Sequence, residues 1–213
     1  RTDARVLTFG EASDADVRIT DLVLDELARA SFVAHTPWGS VPVRLAVSGR
    51  HMALNAAAAL ACVGAAGADL AAGAAALDGV SLTAMRMEVC RTAAGATVLN
   101  DAYNANPTSM RAALDALAAM PATRRVAVLG LMAEISDAPD EHRRIVDYAK
   151  ALGIEVVAFN TDLYGTPTVP DVAAAVRAIG SISGGDAVLV KGSRVVGLER
   201  VAAALLDAGV DPA

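Results

Sequence analysis

Between residues 6 and 48 apolar and polar side chains alternate, most regularly at Val41, Val43, Leu45 and Val47. A period of two puts every second side chain on one face of a strand. Residues 5–10, 17–19, 22–27, 31–35 and 41–47 therefore read as strands, and Pro37-Trp38-Gly39 as the turn of an antiparallel hairpin. Gly49 ends this region. Residues 51–63 and 68–77 then read as helices, separated by Gly64-Ala65-Ala66-Gly67, and residues 81–87 as a connection.

Beyond that connection the rhythm changes. Strands are expected at residues 97–99, 125–130, 154–159 and 187–191, each followed by a helical stretch. The first helix opens with Asn106 as N-cap and Pro107 in its first turn, and its apolar face is Met110, Ala113, Leu114 and Leu117. The later helices fall at residues 140–152, 171–179 and 197–208. Four strand-helix units in succession predict a mostly parallel sheet covered on both faces, a Rossmann-like α/β domain of about 130 residues. The division expected is residues 1–84, antiparallel strands plus helices, and residues 85–213, the Rossmann-like domain. Ligands of such sheets lie beyond the carboxyl ends of the strands. That focuses attention on residues 100–106, 130–134, 160–162 and 191–194.

Composition narrows the function classes. The chain has 213 residues, 54% apolar but only 3% aromatic, and alanine supplies roughly a quarter of it, so its core is built of thin Ala/Val/Leu layers. A formal charge of -6 leaves no electrostatic footprint for a nucleic acid, although a local basic pocket for one phosphate is compatible with it. Cys62 and Cys90 lack any CxxC or Cys/His spacing, which gives no support to a disulfide scaffold or structural zinc site and fits a reducing cytoplasm. Residues 52–77 are too rich in Ala and Gly for a membrane span. The start, Arg1-Thr2-Asp3, has no initiator Met and no signal pattern, as expected of a processed or excised piece.

The densest chemistry is Asn100-Asp101-Ala102-Tyr103-Asn104-Ala105-Asn106-Pro107-Thr108-Ser109, an acid, a phenol and several carboxamides between a strand and a helix N-terminus. Capping plus a turn is the plain alternative. Lys191 with Ser193 after the last strand reads equally as a phosphate or carboxylate contact and as a solvated turn. His51 reads equally as a helix cap and as a nucleotide contact; His35 and His142 read as surface residues. Glu134, Asp137, Asp140 and Glu141 read as decoration of a helix start. No Ser/His/Asp set can be ordered, no metal-ligand spacing appears, and GxGxxG is absent after Gly130.

The polar string resembles the signature of the Mur ligases, in particular the branch whose incoming substrate is D-alanyl-D-alanine. Gly49-Arg50-His51 followed by Asn55-Ala56-Ala57, Met85-Arg86-Met87, Val128-Leu129-Gly130-Leu131-Met132-Ala133-Glu134 and Val190-Lys191-Gly192-Ser193-Arg194 agree with it in order and spacing, from about residue 5 to the end. The resemblance implies an ATP- and Mg2+-dependent amide ligase of peptidoglycan synthesis. In it the carboxylate of a UDP-N-acetylmuramoyl tripeptide is activated as an acyl phosphate and attacked by the amine of D-alanyl-D-alanine. It implies a cytoplasmic, monomeric protein with no nucleic acid partner. By motif position Asn55 resembles the adenine-contacting carboxamide, Arg86 the phosphate-contacting arginine and Asp101 the ribose-binding acid. His51 and Tyr103 are further nucleotide candidates, and Asn104, Asn106, Lys191 and Ser193 substrate candidates.

The departures are informative. No Gly-x-x-Gly-Lys-Thr loop is present, Met52 stands where the family has a second Asn, and Leu131 where this branch has Asp. Residues 1–84 then resemble the end of a central ATP-binding domain, with magnesium ligands, catalytic groups and phosphate loop outside this segment. By itself the chain is expected to be inactive. A relative that adds glutamate to folate or amino acids to a polymer, and a nucleotide-binding module without turnover, are the competing expectations.

Overall fold

A computed structural model of the chain describes residues 6–136 and 138–207. The expected ends at Arg5 and Ala208, and Asp137, lie outside the described residues. The chain divides into two compact units, Arg1–Ser81 and Leu82–Ala213.

The first unit is a four-stranded sheet in the order β1 (Phe9–Gly10), β2 (Val17–Leu24), β3 (Arg29–Thr36), β4 (Gly39–Ser48), with helices α1 (His51–Ala65) and α2 (Leu70–Asp78). Strands β2, β3 and β4 pair antiparallel, as their alternation predicts, but β1 runs parallel to β2, which corrects the expectation of hairpins throughout. The stretch expected as two strands, 17–19 and 22–27, is one strand ending at Leu24, with residues 25–27 in the following turn and a register shift between Thr20 and Val23, where Asp21 takes φ 54°. That left-handed residue is what interrupts the alternation. The core joins Val17, Ile19, Phe32, Val41, Val43 and Leu45 to Ala53, Ala56, Ala57, Leu60 and Ala61 of α1. Small side chains let α1 lie close; Gly64 goes further, since a Cβ there would meet the Trp38 ring of the hairpin turn at 2.1 Å. Asp69 caps α2 by accepting from the N–H groups of Ala71 and Ala72.

The second unit is a six-stranded sheet built from β5 (Glu88–Arg91), β6 (Thr97–Asp101), β7 (Arg124–Leu129), β8 (Glu155–Phe159), β9 (Thr168–Val169) and β10 (Asp186–Lys191) in the order β5-β6-β10-β7-β8-β9. All pairs are parallel except β5 with β6. Helix α3 (Pro107–Ala119) packs with α4 (Ala138–Ala151), and α5 (Val172–Ile179) with α6 (Glu199–Asp207). Val98, Val126, Val128, Val188 and Val190 pack with Ile179, Val201, Ala202 and Leu205 of α5 and α6. The alternate residues Leu99, Ala127, Leu129 and Leu189 point to the opposite face and are equally buried. Both faces are therefore covered, giving the Rossmann-like architecture. The one marked deviation in helix placement is at the end, where a 3-10 turn, Arg194–Val196, precedes α6 and Gly197 stands in the left-handed conformation between them.

Candidate functional site

The carboxyl ends of β6 and β10 lie side by side, with Asp101 and Lys191 as register partners. Lys191 is 1% exposed, and its Nζ donates to Asp101 Oδ2 and to the carbonyl of Asn104 at 2.9 Å. Lys191 is thus an internal cation rather than a residue of a solvated turn, because a buried ammonium without partners would be very costly. The other carboxylate oxygen of Asp101 accepts from the N–H of Met87 at 3.1 Å. Its side chain keeps 13% exposure.

This pair fixes two polar segments. Asn104, exposed, turns its carboxamide oxygen to the N–H of Ala105, and Asn106 caps α3 through a reciprocal box in which Asn106 accepts from Ser109 N–H and Ser109 Oγ accepts from Asn106 N–H. The capping function expected of Asn106 is realised, and its carboxamide oxygen is committed to it. On the other side of Asp101, the carbonyl of Met85 accepts from Tyr103 N–H at 3.1 Å, while Met85 and Met87 adopt φ 64° and 50°. Two left-handed, unbranched residues flanking Arg86 are a stored backbone cost that the surrounding bonds hold in place. The outcome is that the exposed Arg86 guanidinium lies over the Tyr103 ring, 4.1 Å from its centre. Arg194 approaches the same ring at 5.6 Å. Tyr103 itself is 38% exposed.

The turn after β7 forms the third side of this edge. Gly130 and Gly192 lie so close that a Cβ on Gly192 would stand 3.1 Å from Gly130 Cα. Gly130 N–H donates to the carbonyl of Lys191 and Ser193 N–H to that of Leu131, both at 2.9 Å, and Ser193 Oγ accepts from Ala133 N–H at 3.0 Å. Ser193 is buried, so its hydroxyl tethers two turns together. His142, expected on the surface, is fully buried: Nε2 accepts from Met132 N–H, and Nδ1 donates to the carbonyl of Ala138, which fixes the tautomer. Burial lowers its pKa below the ordinary imidazole value. Its ring meets Tyr164 edge-on at 4.8 Å, and Tyr164 Oη donates to the carbonyl of Gly130. One signal could have found His142: with Ile145, Val146 and Ala149 it completes an i, i+3, i+4, i+7 stripe. Tyr164 carried no comparable signal. His35, expected on the surface, is half-buried on β3 and bonded to Thr20 and Ser40. Asp140 and Glu141 stand in the first turn of α4 and pair with Arg143 and Arg144.

In the first unit, His51 is the first residue of α1 and Asn55 lies one turn on, exposed and on the same side of the helix. Asn55 Nδ2 donates to the thioether of Met52 at 3.5 Å, so the residue at the departing position touches the carboxamide. A Cβ at Gly49, φ 111°, would meet the His51 ring at 2.5 Å, which makes glycine a requirement of that ring's position. Among the described residues no group of three or more His, Cys, Asp or Glu is arranged to hold a metal ion, and no helix is long and apolar enough to cross a membrane.

Residues 85–194 match the family model described as Mur ligase, glutamate ligase domain. The UDP-N-acetylmuramoyl-tripeptide–D-alanyl-D-alanine ligase of Mycobacterium tuberculosis is 44% identical over 160 residues, covering 72% of this chain and 31% of the relative. That of Mycobacterium leprae is 35% identical and covers 94% of the chain and 46% of the relative. Among solved structures, MurF from Acinetobacter baumannii superposes with TM-score 0.83 at 30% identity, over 94% of this chain and 46% of that one. The chain therefore spans about a third to a half of the length of the proteins it matches. The matched residues include Arg86, Asp101, Tyr103, Lys191 and Arg194, the edge just described, and on this ground the chain belongs to the Mur ligase family.

Proposed function

We propose that this chain is the later part of an ATP-dependent ligase that joins D-alanyl-D-alanine to a UDP-N-acetylmuramoyl tripeptide in the cytoplasm. Residues 1–84 serve as the end of its central ATP-binding domain and residues 85–213 as its C-terminal domain. The observation that carries this reading is the clustering of Arg86, Tyr103 and Asp101 at the carboxyl edge of a doubly covered parallel sheet, where ligands of such folds bind. The relatives at 44% and 35% identity carry the name of that ligase, which selects the substrates.

ATP supplies the phosphoryl group that turns the tripeptide carboxylate into an acyl phosphate. The chain's own residues bind and orient. Arg86, lying over the Tyr103 ring, contacts phosphate oxygens. Asn55 contacts adenine, a carboxamide being able to donate to and accept from a base edge, and His51 contacts the nucleotide. Asp101 meets ribose hydroxyls with the lone pairs that Lys191 and Met87 leave over. Tyr103 and Asn104, both exposed, line the ligand edge. Lys191, Ser193 and Asn106 act by positioning, since the structure engages Nζ, Oγ and the carboxamide oxygen internally. Among the described residues no cluster of acids is arranged for Mg2+. A monomer is the working state.

The test is an assay of the complete enzyme carrying this segment with the UDP-muramoyl tripeptide, ATP and either D-alanyl-D-alanine or glutamate. Amide formation with the dipeptide alone supports the reading. Turnover with glutamate alone, or with neither, overturns it.

A further inference from the structure

Of the fourteen described arginines, Arg29, Arg50, Arg124, Arg143 and Arg144 each face a carboxylate. Arg86 and Arg194 face none among the described residues, in a chain whose net charge is -6 and which does not lack acids. Instead both lie against one phenol ring, their guanidinium carbons 4.1 and 5.6 Å from its centre. A cation–π contact attracts the charge without supplying an acceptor to the N–H donors, so neither cation is neutralised by it. Arg194 Nη1 finds only the thioether of Met85, at 4.0 Å, a weak acceptor.

Two like charges drawn to one ring also repel each other, and an anion shared between them relieves that repulsion. Their backbones are fixed independently. Arg194 follows Ser193, whose N–H is bonded to Leu131, and opens the 3-10 turn closed by Val196 N–H on the Ser193 carbonyl. Arg86 is flanked by left-handed residues tied to Tyr103 and Asp101. Two exposed guanidiniums without carboxylate partners, each within 5.6 Å of one ring centre, can converge on a single oxyanion.

We infer that Arg194 completes, with Arg86 and Tyr103, a subsite for one phosphoryl or carboxylate group. The inference rests on the proposed contact of Arg86 with phosphate and adds the second cation, which nothing in the sequence pattern assigned. Two sources supply the chemistry: the terminal phosphate of the nucleotide and the free carboxylate of the incoming dipeptide.

The test titrates the 213-residue chain with inorganic phosphate, with D-alanyl-D-alanine and with D-alanyl-D-alaninamide, following arginine side-chain and backbone NMR shifts. Saturable shifts at Tyr103 and Arg86 are expected with phosphate or the dipeptide and not with the amide. Arg194→Gln should weaken that binding roughly tenfold, the scale of one charge-assisted contact, with an unchanged melting temperature; Arg194→Lys should recover part of it, and Arg91→Gln should have no effect. A response to phosphate assigns the phosphoryl group, a response to the dipeptide alone the carboxylate. Arg194→Gln binding as tightly as the parent chain, or no saturable response to either anion in the millimolar range, overturns the inference. The binding measurement is independent of whether the complete enzyme uses the dipeptide, so the two readings fail separately.

Discussion

Lys191 and Asp101 are ninety residues apart in sequence and end adjacent parallel strands as register partners, joined by an ion pair that is almost wholly buried. Breaking such a pair from one side leaves an uncompensated charge, at a cost of about 3–5 kcal/mol. Lys191→Met should therefore destabilise the second unit by that order. The double variant Lys191→Met with Asp101→Asn, which keeps an acceptor for Met87 N–H, should cost clearly less than the sum of the single changes. Urea unfolding of the three variants measures this; strict additivity would show that the pair is not coupled. The same pairing bears on Asp101→Ala in a complete enzyme, where lost turnover will be accompanied by lost stability.

Gly192→Ala should destabilise by about 1–3 kcal/mol, because the new Cβ would press on Gly130 Cα at 3.1 Å and on the buried Leu198 at 3.2 Å. In a Leu198→Ala background, which removes the second contact but itself costs stability as a core truncation, Gly192→Ala should still lower the melting temperature. Thermal melts of the single and double variants measure this, and no further loss in that background would mean that the backbone approach is unimportant.

Protonation of His142 must break the bond that Nε2 accepts from Met132 N–H, and burial already holds its pKa below the ordinary 6.5. The unfolded chain therefore binds the proton more readily, so the histidine's contribution is complete above about pH 6.5 and is lost as pH falls through the folded value. His142→Gln should cost stability at neutral pH, and its deficit relative to the parent should shrink towards pH 5. Denaturant midpoints across that range decide the matter; a constant deficit would refute the assignment.

Asn106→Ala should cost about 1 kcal/mol through loss of the cap on α3. Asn106→Asp, which keeps the acceptor, should cost much less. Chemical denaturation distinguishes the two.

The elements most legible in the sequence are those governed by near neighbours. Asn106-Pro107 announces a capped helix because cap and first turn are adjacent, and the strands through Val98, Val126 and Val188 announce themselves because burial on both faces demands continuous apolar runs. β5 escaped notice because Glu-Val-Cys-Arg is four residues long and owes its strand conformation to pairing with β6. The parallel run of β1 beside β2 depends on how residues 11–16 return the chain, including Asp16, whose carboxylate accepts from Thr8 N–H and Oγ1. In the site, Asp101 and Tyr103 drew attention by the density of polar residues around them, and Arg86 by its place in the family's motif. That Lys191 is an internal partner, that Arg194 reaches Tyr103, and that His142 supports Met132 are facts of tertiary contact, with no trace in local spacing beyond the helical stripe through His142.

The left-handed turns at Met85 and Met87 give the short segment between them an unusual mechanical status. Clipped by one carbonyl and one amide to the end of β6, it rides with the second unit as a fixed outrigger. The Arg86 backbone therefore keeps its place at the end of β6 whatever the chain upstream of Met85 does.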